Sequence, residues 1–197
     1  DDIASASENE KLKRRGIAGM IFVFKIAGSM AENGSSLDEI FKIASIANDN
    51  IRTLGVALSP CILPEAGKPT FEINNDEVEI GMGIHGEPGI RREKLRTANE
   101  LVDDMYNKII EDSKILEGDN IVTMVNSLGA TPLEELYITS KRFNENLIES
   151  KINNLKTYVG RYATSMEMAG MSITILKLNE ELKKNIFSKC ECPFWIN

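Results

Sequence analysis

The sequence predicts an α/β fold: a layered domain with a mixed, largely parallel sheet flanked by helices. Three observations carry that reading. Short apolar, β-type runs alternate along the chain with longer stretches whose apolar residues recur at the helical period. Capping signatures open several of the helical stretches. Glycine, proline and asparagine clusters punctuate the junctions.

Residues 1–15 are polar and read as a linker or domain-junction segment, leaving residues 16–197 as one domain. Gly16 to Glu32 reads as a mostly apolar helix that stops at Asn33-Gly34. Ser36 followed by Glu39 makes a capping box for a second helix, whose Leu37, Ile40, Phe41, Ala44 and Ala47 keep the helical period. After Arg52 the texture becomes β-like. Leu54 to Leu63 is a strand run closed by Pro64 and a turn at Ala66-Gly67, with further short strands at Phe71 to Ile73 and Val78 to Ile84. Glu93 to Glu111 is helical, with Leu95, Leu101, Val102, Met105, Tyr106, Ile109 and Ile110 on one broad apolar face. Ile121 to Val125 is the next strand. Thr131-Pro132-Leu133-Glu134 offers a cap, a proline at the first helical position and a reciprocal glutamate, predicting a helix to about Ser150. Leu155 to Tyr162 and Ser172 to Leu178 are the last strands, followed by a short helix from Glu180 to Phe187.

Bulk composition narrows the function classes. The 197 residues are 42% hydrophobic and 27% charged, enough for one sizeable core. The longest apolar run, Gly16 to Phe24, stops at Lys25, well short of the ~20 residues that span a bilayer. No secretory signal pattern opens the sequence, and Asp1-Asp2 in place of Met suggests processing or a start inside a longer chain. A net charge of −7 argues against a nucleic-acid partner, because phosphate binding needs clustered cations. The basic cluster Lys11-Leu12-Lys13-Arg14-Arg15 reads as a solvated linker or helix start. Three cysteines, Cys61, Cys190 and Cys192, do not describe a disulfide framework, and a cytoplasmic setting is expected. Cys190-Glu191-Cys192 lacks the further ligands a metal needs, so no metal site is expected.

In open α/β sheets, ligands sit at loops beyond strand ends. Two loops qualify here: residues 81–89 and residues 126–131. The second shapes either a pocket wall or simply a helix start. The first, Gly81-Met82-Gly83-Ile84-His85-Gly86-Glu87-Pro88-Gly89, holds the chain's one histidine among four glycines. Glycine permits positive φ and close approach of a small polar ligand to main-chain N–H groups. The glycine spacing does not make a dinucleotide fingerprint. From composition alone, His85 is either a ligand contact or a histidine that bonds within its own turn.

Gly83-Ile84-His85-Gly86-Glu87-Pro88-Gly89 resembles the signature loop of the dihydroxyacetone kinase K domain. The likeness extends to Gly55-Val56-Ala57-Leu58 through Pro64-Glu65-Ala66-Gly67-Lys68-Pro69-Thr70-Phe71 and to Val125-Asn126-Ser127-Leu128-Gly129-Ala130-Thr131-Pro132-Leu133-Glu134-Glu135-Leu136-Tyr137. It closes with Thr164-Ser165-Met166-Glu167-Met168-Ala169-Gly170-Met171-Ser172-Ile173-Thr174. These blocks occur in the family's order and cover roughly residues 14 to 195. The resemblance implies that His85 holds dihydroxyacetone covalently, as a hemiaminal between a ring nitrogen and the carbonyl carbon. A neutral imidazole is a competent nucleophile near pH 7. Addition to a ketone also separates dihydroxyacetone from glycerol, which has no carbonyl. Gly83 and Gly86 are the expected backbone donors to the new hydroxyl. Glu87 either orients the imidazole or stabilises the turn.

The resemblance further implies partners. A complete K subunit carries an N-terminal half with an Asp/His acid–base pair, and Asp1-Asp2-Ile3 resembles a segment just before the family's connecting helix. This half alone is therefore expected to be inactive. No cofactor is expected on this chain, since ADP or ATP with Mg belongs to a separate nucleotide-binding L-type subunit. A chain end soon after Trp195 favours the phosphotransferase-system-linked, multi-subunit kinases, and a homodimer is typical of the family. Phe24, Glu167 and Met171 stand where histidine, aspartate and phenylalanine are usual in active kinases. They leave a second reading open: a non-catalytic paralogue that binds the same ligand and acts as coactivator of a transcriptional regulator.

Overall fold

A computed structural model describes residues 1–193 together with 195 and 196. The elements, in chain order, are a 3-10 turn at Glu8–Lys13, α1 (Met20–Glu32), α2 (Leu37–Asp49), β1 (Ile51–Ala57), β2 (Glu77–Ile80), β3 (Arg91–Lys94) and α3 (Ala98–Ser113). They continue with β4 (Asn120–Ser127), α4 (Leu133–Glu149), β5 (Asn153–Gly160), β6 (Gly170–Lys177), α5 (Glu180–Ile186) and a two-residue hairpin of β7 (Glu191–Cys192) and β8 (Trp195–Ile196).

Six strands form one mixed sheet in the order β3-β2-β1-β6-β4-β5. The layered α/β architecture is as expected, but the predominance of parallel pairs is not. Four of its five pairings are antiparallel, and β4–β5 alone is parallel. The cause is connectivity. Only α4 makes a crossover between neighbouring strands, whereas β6 inserts between β1 and β4 and runs against both. Helices alternating with strands do not by themselves make a parallel sheet.

Each face of the sheet is covered. On one, Val102, Met105 and Ile109 of α3 and Leu136, Phe143 and Leu147 of α4 pack on Leu54, Ile121, Val125 and Ile173. On the other, Phe22 and Ile26 of α1, Ile43 and Ala47 of α2 and Leu182 and Ile186 of α5 cover Ile51, Val122, Met124 and Leu176. The central strands are thus apolar on both faces, which their near-continuous buried pattern reflects. A third, small cluster of Ala57, Cys61, Met82, Leu128 and Met168 closes one end of the sheet, with Phe71 and Ile84 against it.

Several boundaries differ from expectation for local reasons. Helix α1 begins at Met20 rather than Gly16, because the Asp1 carboxylate takes the Ile17 and Gly19 N–H groups just ahead of it. Strand β1 stops at Ala57, and Phe71 to Ile73 forms no strand. The segment between is a loop closed by an isolated bridge between Ile62 and Pro69. Strand β2 ends at Ile80 instead of Ile84, since Gly81 turns at φ 79°. The expected helix at Glu93 starts five residues later: Arg91–Lys94 is a charged edge strand, and Thr97 with Glu100 forms the capping box of α3. Ahead of α4, Pro132 is the cap and Thr131 does not cap the helix. Its hydroxyl instead exchanges hydrogen bonds with the Gly170 main chain at 2.7 and 2.8 Å.

The opening residues are packed as part of the domain. Asp2 is 1% exposed, and its residue bridges to Thr53 of β1. The basic cluster is accordingly not all solvated. The Arg14 guanidinium makes a two-pronged pair with Asp112 at 2.7 and 2.6 Å, and its side chain is only 3% exposed. Arg52 joins the same carboxylate at 2.6 Å. No helix of the described residues is long and apolar enough to cross a membrane.

Candidate functional site

The histidine loop is the connection between β2 and β3. Its base is tied by Gly81 N–H donating to Gly55 O at 2.7 Å and Ile90 N–H to Ile80 O at 2.8 Å. Gly89 lies so close to the Ile80 carbonyl that a Cβ there would sit 2.2 Å from its oxygen, so the excursion closes only with glycine. Within the loop, Gly83 N–H donates to Glu87 O and Gly86 N–H to Gly83 O, both at 3.0 Å. These two amides hold the loop's own shape. The expectation that they donate to a ligand is corrected on that ground: each already has an acceptor in the turn it stabilises. Gly86, at φ 83°, packs against Thr70 of the neighbouring loop.

His85 stands out of this frame with its side chain 80% exposed. Glu87 addresses it twice. One carboxylate oxygen accepts the His85 backbone N–H at 3.0 Å, and the other lies 3.2 Å from ring Nδ1. Burial opposes the charge on Glu87. Hydrogen bonds from its own amide and from His85, together with the Arg15 guanidinium, nevertheless hold its carboxyl below the usual glutamate range. An ionised carboxylate only accepts, so the proton belongs on Nδ1, and the neutral ring keeps its lone pair on Nε2. Of the two readings of Glu87, the geometry therefore supports the orienting one, and the same side chain also braces the turn.

Beside the ring lies a cleft of about 240 Å³, lined by Arg15, Gly16, Ile17, Gly83, Ile84, His85 and Glu87. Arg15 is the residue that local reading missed. Its Nε and Nη2 grip the buried Asp2 carboxylate at 3.0 and 2.7 Å, Nη2 reaches Gly81 O at 3.3 Å, and Nη1 stands 3.8 Å from Glu87. The opening segment is thereby clamped to the histidine loop. A cation next to Gly16 was the sequence's only hint, and nothing local distinguished it from the lysines around it.

The other singled-out residues lie elsewhere. Asn126 is buried and saturated: its amide donates to Ala163 O and Ser172 Oγ and accepts from the Tyr162 and Ala163 N–H groups. The 126–131 loop is thus a structural joint. Glu167 accepts the Ile62 N–H at 2.6 Å, Met171 is buried with its sulfur 3.0 Å from the Thr139 hydroxyl, and Phe24 is exposed on α1. None of the three lines the histidine cleft. Among the described residues, no three His, Cys, Asp or Glu side chains gather as a metal site.

The Dak1 domain matches residues 1–194 of this chain. The dihydroxyacetone-binding subunit DhaK of a PTS-dependent dihydroxyacetone kinase from Listeria innocua is 48% identical over 92% of the chain and 55% of its own length. The chain therefore spans about half the length of such curated relatives. Among solved structures, the dihydroxyacetone kinase operon co-activator Dha-DhaQ superposes with a TM-score of 0.83 at 36% identity, over 91% of this chain and 56% of that one. The dihydroxyacetone kinase of C. freundii superposes with a TM-score of 0.84 at 30% identity, over 95% of this chain and 34% of that one.

Proposed function

The chain belongs to the Dak1 domain family, and on that premise we propose that it is the substrate-anchoring part of a dihydroxyacetone-binding, K-type subunit. In this reading Nε2 of His85 attacks the ketone carbon as the C=O π bond breaks, the oxygen takes a proton from solvent to become a hydroxyl, the Nδ1 proton is released toward Glu87, and a hemiaminal forms. The observation that carries the proposal is the pairing of an exposed imidazole with Glu87 through Nδ1 at the edge of an open cleft, which leaves Nε2 as the nucleophilic nitrogen. Glu87 stabilises the positive charge that develops on the ring as the bond forms. Gly83 lines the cleft, and its missing side chain leaves room for Glu87 and Arg15 to stand against the loop. Phosphoryl transfer falls to a nucleotide-bearing partner subunit, and the remaining acid–base groups to an N-terminal half of the same protein. The subunit is read as cytoplasmic and homodimeric.

Calorimetry on the full-length protein tests this. Dihydroxyacetone should bind, glycerol should not, and His85→Asn should abolish the difference. Equal affinity for both compounds, or unchanged binding by His85→Asn, would refute the assignment.

A second reading has its own support. The operon co-activator is among the structural matches, so the same ligand chemistry could serve transcriptional control without catalysis. Mixing full-length protein with an L-type subunit, phosphodonor and dihydroxyacetone separates the two. Dihydroxyacetone phosphate appears only if the chain serves a kinase.

A further inference from the structure

We propose that Asp2 is a positioning residue for the histidine site: it restrains the Arg15 guanidinium, which would otherwise take the Glu87 carboxylate away from the imidazole. The inference rests on the reading of His85 as the nucleophile, and it adds two residues outside the loop on which that ring's orientation depends. Asp2 is 1% exposed, and one of its oxygens accepts from Arg15 Nε at 3.0 Å and from Nη2 at 2.7 Å. Nη2 also reaches Gly81 O at 3.3 Å. Nη1 is the free end of the fork. It stands 3.8 Å from Glu87 Oε2 and, among the described residues, has no acceptor within hydrogen-bond reach. Oε2 takes the His85 amide at 3.0 Å, and Oε1 lies 3.2 Å from the ring Nδ1.

The distance sets the role. At 3.8 Å the guanidinium is near enough for its charge to act on Glu87 and too far to donate a hydrogen bond. A charge-assisted bond closes to about 2.8 Å, so a shift of about 1 Å would complete it. Arginine and carboxylate favour two parallel bonds that occupy both oxygens. In that pairing Oε1 turns from Nδ1 to the guanidinium, and the ring loses the acceptor that keeps its proton on Nδ1.

The loop itself does not keep the two groups apart. They face each other across the bare Cα of Gly83, where a Cβ would overlap Oε2 of Glu87 and crowd Nη1 of Arg15. Asp2 is what holds Arg15 back. Its second carboxylate oxygen accepts the Ala4 N–H at 3.0 Å, and its own N–H donates to Arg15 O at 3.1 Å, so the restraining group is itself fixed. Glu87 does not need the closer pairing. Hydrogen bonds from its own amide and from His85 do more than Arg15 to hold its carboxyl below the usual glutamate range.

The test reads the His85 tautomer by nitrogen NMR of ligand-free, full-length protein above the ordinary titration range of imidazole, and then the affinity for dihydroxyacetone. The ring signal is assigned by its loss in His85→Asn. The parent should carry its proton on Nδ1. Asp2→Asn should spread that proton over both nitrogens and weaken dihydroxyacetone binding roughly tenfold. Asp2→Asn combined with Arg15→Gln removes the restraint and the restrained group together, so the Nδ1 proton and most of the affinity should return. A merely structural role for Asp2 gives no such rescue. If Asp2→Asn does not fold, the double variant decides: a ring that has lost its Nδ1 proton there would overturn the proposal. A folded Asp2→Asn protein with the parent's tautomer, or a double variant no better than the single one, would do the same. A parent that binds no dihydroxyacetone while its tautomer responds as stated would refute the covalent anchor and leave the positioning of Glu87 standing.

Discussion

His85 and Glu87 are two residues apart, and the site's chemistry is set by that spacing. A carboxylate that holds both the backbone amide and the ring Nδ1 of the same histidine fixes position and tautomer together. Replacing Glu87 with Gln keeps the shape but lets the amide end present a hydrogen, which frees the ring to reorient. Affinity for dihydroxyacetone should fall roughly tenfold in calorimetry while the thermal midpoint stays near that of the parent. The sign for pH follows from the depressed carboxyl. Its contribution is present above the ordinary glutamate range and is lost as pH falls through its lower folded value. The loop should therefore keep its order at pH 5 and lose it in stronger acid, as amide exchange at Gly83 and Gly86 would record. The histidine was legible because glycines isolate it in the sequence. The Arg15 clamp was not, since its partners Asp2, Gly81 and Glu87 meet only in the folded chain.

At the scale of elements, helices were read well where a cap and a 3.6 period agree, as in α2 with its Ser36–Glu39 box. Ser36→Ala or Thr97→Ala should each cost about 1 kcal/mol in denaturant unfolding. Strand β3 was missed because Arg91–Lys94 carries charge in place of apolar alternation. It holds its edge through ion pairs such as Arg92 with Glu79 and Arg91 with Asp104. Residues 71–73 have strand composition but no neighbouring strand to bond, so composition misled there. The opening segment depends on Asp112. Burial opposes that carboxylate's charge, but the Arg14 and Arg52 guanidinium groups hold it below the usual aspartate range. Asp112→Ala leaves the buried Arg14 unpaired and should cost about 3–5 kcal/mol at neutral pH. A folded-state value below the unfolded one means stability present above about pH 4 and lost below it. The deficit of the variant should therefore shrink in urea unfolding at about pH 3, as the parent's own aspartate becomes protonated.

The whole molecule is a sheet covered on both faces, with its glycine loop displayed between β2 and β3 and anchored by Arg15 of the opening segment. Order along the sequence made the α/β layering readable. It could not give strand direction, because β6 enters the centre of the sheet after β4 and β5 are in place in the sequence, and its direction depends on where it inserts. The cleft beside His85 is open to solvent. The most direct test of the covalent anchor is carbon NMR of full-length protein with dihydroxyacetone labelled at its carbonyl carbon. The bound label should lose its ketone resonance and appear as a tetrahedral carbon in the parent, and not in His85→Asn. A bound label that keeps its ketone resonance, or a tetrahedral signal that survives His85→Asn, would contradict the account.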